Sequence, residues 1–117
     1  MRIGEVIPTA KTWCKMIIEN GQQQHCVLGA MLKATTGIAM WHIGWEDDSK
    51  YKDLRDQIIR LAETIRAVFP ERVIENTEAM SSANRVFLDS HIVANFNNHR
   101  DTTFEDIQRV CKVADLW

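Results

Sequence analysis

Leu54, Ile58, Leu61, Ile65 and Val68 recur at three- and four-residue steps through a stretch otherwise filled by Lys52, Arg55, Asp56, Arg60 and Glu63. That period draws one apolar stripe along a helix and leaves the charges to water; a strand would instead turn alternate residues inward and bury several of them. Pro70 closes the stretch, because proline disfavours helical geometry in the residue before it. A stripe of this kind has to be covered, and the rest of the chain offers helices to cover it. Val6, Ala10, Trp13, Cys14, Ile17 and Ile18 place a first helix, with Gly21 as its left-handed cap. A second begins near His25 and turns Val27, Ala30, Met31 and Ala34 inward until Thr35-Thr36-Gly37 stops it. Ser81 or Ser82 caps a fourth through Val86, Phe87, Ile92 and Val93, and a fifth holds Phe104, Ile107, Val110, Cys111 and Ala114. Alternating apolar and polar runs are absent. The expected fold is all-α: one compact domain over 1–117, a bundle of about five helices, with 37–44 as the one place for a short strand.

A chain of 117 residues suffices for one hydrophobic core. Its formal charge of −2 is spread over interspersed acids and bases, which disfavours the basic face that nucleic-acid binding requires. No apolar run reaches the length of a membrane span. Glu5 and Pro8 interrupt what would be the apolar part of a secretion signal. With Cys14, Cys26 and Cys111 odd in number and loosely spaced, reduced thiols in the cytoplasm are expected. No paired Cys or His pattern suggests a metal, and no cofactor is expected.

Three segments carry candidate chemistry. Met40-Trp41-His42-Ile43-Gly44-Trp45 gathers two of the four tryptophans in a connector. These indoles either fold back over the bundle or make an aromatic contact loop for a partner, with Trp41, His42 and Trp45 as its contacts. Cys26 falls at the start of the second helix, where unpaired N–H groups favour a thiolate. A nucleophilic role there also needs a base, His91 or His99, oriented by Asn97, Asn98 or Asp101. The plainer reading makes Cys26 a small buried hydrophobe beside Gly29 and Ala30. The third segment, Asn97-Asn98-His99-Arg100-Asp101, is a polar corner. Behind it Thr102 with Glu105, or Thr103 with Asp106, forms a capping box. Asn97 and Asn98 suit a helix end, whereas His99 and Arg100 add donors that capping does not require.

In these motifs the chain resembles a family of small, uncharacterised helical proteins of actinobacteria and their phages. That family carries a Cys-x-x-Gly-Ala helix, then Trp-Asn-Asp, a short polar turn, and Thr-x-x-acidic-Val opening the last helix. Cys26, Gly29 and Ala30 match the first motif. Phe96 stands for the aromatic, and Asn97, Thr103, Asp106 and Ile107 follow without a gap. Asn98 replaces the acid, so a mechanism that needs a carboxylate there does not carry over. His99-Arg100-Asp101 replaces a turn often built from Pro and Gly. The resemblance implies a helical fold and a phage or prophage source, and no activity.

Three kinds of function fit these residues. The first is a small cytoplasmic, non-enzymatic binding protein with a protein or small-molecule partner, such as a phage-encoded modulator of a host or defence system. It would bind through Asn97, Asn98, His99, Arg100 and the Trp41–Trp45 loop, as a homodimer if the seam of the third helix pairs two-fold. The second is a thiol enzyme, an amidase or transferase using Cys26 with His91 or His99. The third is a helix-turn-helix-like regulator with Arg85, His99, Arg100, Arg109 and Lys112 along one side. Against it, Glu105 and Asp106 sit where a recognition helix meets phosphate.

Overall fold

The computed structural model describes residues 1–16, 23–38, 45, 48–73 and 85–117. Five α-helices lie among them: α1 (Ile3–Val6), α2 (Val27–Thr36), α3 (Lys52–Val68), α4 (Arg85–Asn98) and α5 (Phe104–Val113). Single 3₁₀ turns at Ala10–Thr12, Ser49–Tyr51 and Pro70–Arg72 link them. No strand occurs among the described residues, and the architecture is the expected all-α bundle.

α3 is the centre of the bundle and packs against α2, α4 and α5. Leu54, Ile58, Leu61 and Ile65 are wholly buried within the chain, so this seam is not a face left over for a second copy. An ion pair of 2.8 Å between Arg66 and the buried Asp89 ties α3 to α4. The helix leaves its axis at Phe69, as the proline that follows requires, and Pro70 opens the next 3₁₀ turn. At the other end of the order, α5 starts on the Thr103–Asp106 capping box, the second of the two pairings open to the sequence. The chain then folds back. Trp117 stacks edge-on against Phe104 and approaches Gly4 so closely that a Cβ there would lie 2.7 Å from the indole.

The first expected helix does not form as a continuous rod. α1 ends at Val6, Ile7 is non-helical (φ −122°, ψ 66°), and Trp13 is extended. Pro8 is the cause: it pushes Ile7 out of the helical region, and Thr9 then starts a separate turn. Ile17, Ile18 and Gly21 lie outside the described residues, as do 39–44 of the suggested strand and the Ser81 and Ser82 caps. α2 stops where expected, at Gly37 in the left-handed region (φ 78°).

Candidate functional site

The extended backbone around Trp13 runs parallel to the segment that leads into α2. His25 donates its N–H to the Thr12 carbonyl (2.9 Å), and its own carbonyl accepts from Cys14 N–H (3.0 Å), a single parallel bridge pairing Trp13 with His25. In a parallel ladder the next bond would run from Val27 N–H to the Cys14 carbonyl. The side chain of Asn97 takes its place. Asn97 Oδ1 accepts from Val27 N–H (3.0 Å), and Asn97 Nδ2 donates to the Cys14 carbonyl (3.2 Å). The carboxamide thus acts as a spliced-in peptide group. It forms where Val27 turns from the ladder into a helix, and so it also satisfies one of the N–H groups that a helix start leaves unpaired.

Two more bonds use up the amide. Trp13 Nε1 donates to the same Oδ1 (2.8 Å), and Nδ2 also donates to Asn98 Oδ1 (3.1 Å). Asn98 Oδ1 in turn accepts Met16 N–H at 2.7 Å. Lys15 Nζ reaches over to donate to the His99 carbonyl, again at 2.7 Å. Asn97 is 1% exposed. The two motifs that stand seventy positions apart therefore meet at one buried side chain.

Cys26 is the N-cap of α2 and not a residue of its first turn; its Sγ accepts from Gly29 N–H at 3.3 Å. Burial pushes its thiol up from the ordinary value, against the opposing pull of the backbone N–H groups of Gly29, Leu28 and Cys26 itself. The net direction is opposite to the activation that a nucleophile needs. His91 is exposed on α4 and stacks edge-on against the half-exposed Phe87. It precedes Asn97 by six residues and so lies on a different face of the helix. His99 Nδ1 accepts from Asp101 N–H at 3.1 Å, inside its own turn. Neither imidazole is hydrogen-bonded to Cys26.

The other expected site residues are scattered. Arg100, with its side chain 91% exposed, stands at the tip of the corner, its Nε 4.0 Å from an Asp101 oxygen. Trp45 is buried in the core, while Trp41 and His42 lie outside the described residues. Arg109 is exposed but rests its guanidinium 5.5 Å from the centre of the Phe69 ring, which Arg72 also covers at 4.5 Å. Arg72 pairs with Asp106 at 2.6 Å. Burial works to raise the pKa of Asp106, but Arg72 and Thr103 outweigh it and hold the carboxyl below its usual range.

Beside the Trp13–His25 bridge lies a cleft of about 420 Å³ lined by Glu5, Val6, Pro8, Thr12, Gln23, His25 and Lys33. Lys33 projects from the last turn of α2. Glu5 belongs to α1, where its Oε1 accepts from Arg2 N–H. The volume suits a small ligand. These residues escape a reading by motif, because they come from three separate segments and only the fold makes them neighbours. Among the described residues no cluster of His, Cys, Asp and Glu could hold a metal, and no helix is long and apolar enough to cross a membrane.

A small all-α domain whose helix ends are spliced by buried asparagine is the class that fold and site define. The chain belongs to DUF6197, a family of unknown function, whose model matches residues 2–115. Neither a curated protein nor a solved structure matches it.

Proposed function

We propose that the protein is a non-enzymatic, cytoplasmic binding protein that holds a small zwitterionic molecule in the cleft between α1, the Ala10–Thr12 turn and the start and end of α2. The observation that carries this reading is that one cleft is lined by both Lys33 and Glu5, with Thr12 and His25 also in its lining. Lys33 takes a carboxylate and Glu5 an ammonium group; a cleft with both signs favours ligands that carry both. In this reading Asn97 and Asn98 are positioning residues, since their side chains are engaged with Trp13, Cys14, Met16 and Val27. Arg100, exposed at the corner, remains a contact for a larger partner. Action by association suits a phage- or prophage-borne modulator of a host or defence system, the setting that the motif resemblance implies.

The test is a titration of isotope-labelled protein with free amino acids, followed by NMR. Saturable shifts at the amides of Thr12, His25 and Lys33, lost in Lys33→Ala, support the reading. No saturable shift at those amides, or one that Lys33→Ala leaves intact, overturns it.

A further inference from the structure

We propose that Cys14 and Cys26 are a reversible dithiol–disulfide pair that peroxide closes across the bridge leading into α2. The inference is independent of the ligand cleft and rests on register. The bridge pairs Trp13 with His25 in parallel, so Cys14 and Cys26 are the next residues along their two segments. Neighbouring strands lie about 4.8 Å apart, and paired residues one step on from a bridge turn their side chains to the same side. The Cys14 N–H to His25 carbonyl bond of 3.0 Å holds the segments together on the near side of this pair, and the Asn97 carboxamide opens them on its far side, at the Cys14 carbonyl and Val27 N–H. A Cα separation of about 5–6 Å falls in the range that a disulfide spans. The two groups also sense each other, since Cys14's thiol is pushed up first by burial and then by the charge that Cys26 would carry.

The thiols differ in access. Cys14 is partly exposed and Cys26 buried, while the third cysteine, Cys111, lies in the core with its thiol pushed up to about 12. Cys14 is therefore the sulfur that meets an oxidant. Its sulfur attacks one oxygen of hydrogen peroxide, the O–O bond breaks, and the released hydroxide takes up the thiol proton, so that a sulfenic acid and one water result. The Cys26 sulfur then attacks the sulfenic sulfur as its thiol proton passes to the displaced hydroxide, which leaves as a second water. Two thiols lose two hydrogens and the peroxide gains them. The bond ties the Trp13 segment to the α2 N-terminus and fixes the wall that carries Thr12 and His25.

The experiment treats the folded chain with hydrogen peroxide, alkylates remaining thiols in denaturant and digests without reduction. Trypsin cuts after Lys11, Lys15 and Lys33, so the expected product is peptide 12–15 linked to peptide 16–33, with Cys111 alkylated. The linked species disappears with dithiothreitol. It also raises the melting temperature by roughly 5 °C or more, as expected for closing a short loop. Cys26→Ser keeps an N-cap oxygen, so it folds but forms no link. A link from either cysteine to Cys111, intermolecular dimers in place of the internal link, or over-oxidation of Cys14 with Cys26 still free would overturn the proposal.

Discussion

Replacing Asn97 by alanine removes one side chain from the bonds that hold three segments together. The loss leaves Val27 N–H without its acceptor in a fully buried position and Cys14 C=O without its side-chain donor. The Trp13 indole N–H and Asn98 Oδ1 lose a partner as well, but both are partly exposed and turn to water. A buried polar group left unpaired costs about 1–3 kcal/mol, so the buried Val27 N–H together with the part-buried Cys14 carbonyl implies a loss of about 3 kcal/mol. For a chain of this size that is a fall in melting temperature of roughly 10–15 °C. Urea unfolding followed by tryptophan fluorescence and by far-ultraviolet circular dichroism measures it. A cycle with Trp13→Phe isolates the indole bond; the double variant should be less destabilised than the sum of the single ones. An Asn97→Ala protein within about 0.5 kcal/mol of the parent would refute the splice as a stabilising element.

Asn98→Asp should leave stability unchanged or raise it by up to about 1 kcal/mol, because Asn98 Oδ1 serves as acceptor to Met16 N–H and Asn97 Nδ2, a role that a carboxylate fills with charge-assisted bonds; denaturant midpoints decide. Asn97→Asp should behave oppositely, since an acceptor-only group would face the Cys14 carbonyl, and the same melts compare the two. Asp106 has a folded pKa below its unfolded one, so its pairing with Arg72 contributes fully above about pH 4 and is lost as pH falls through the lower folded value. Unfolding curves between neutral and acidic pH should show that decline, and Asp106→Asn should be less stable at neutral pH and flatter across the acid limb. Trp45→Ala should destabilise the protein by the about 3–5 kcal/mol typical of removing a buried indole, read as a sharply lowered melting temperature, and not act as a selective loss of binding.

Much of the fold was legible because long periodic segments report their own burial. The α3 stripe, the Pro70 stop, the Gly37 cap and the Thr103–Asp106 box each follow from local rules that tertiary contacts had no reason to override. The first helix misled because its apolar period continues across Pro8, and backbone chemistry there outweighs a matching pattern. The corner was legible as a place but not as a role. Asn97 and Asn98 look alike as helix enders, and only the arrival of Trp13, Cys14, Met16 and Val27 turns them into ladder partners. Cys26 was visible at a helix start, yet whether the helix terminus or burial would govern its thiol depended on what packs over it. The Glu5–Lys33 cleft carried no signal in sequence, since its members lie on different elements and share no spacing.

Val27 offers the most direct measurement of the Asn97 splice. It is the first residue of α2, where a backbone N–H has no partner within its helix and ordinarily exchanges quickly with solvent. If the Asn97 carboxamide completes the ladder, hydrogen exchange read by NMR finds the Val27 amide protected to the level of the buried turns of α3, and finds that protection gone in Asn97→Ala. A Val27 amide that exchanges as fast as an open first-turn N–H in the parent protein would contradict the splice outright.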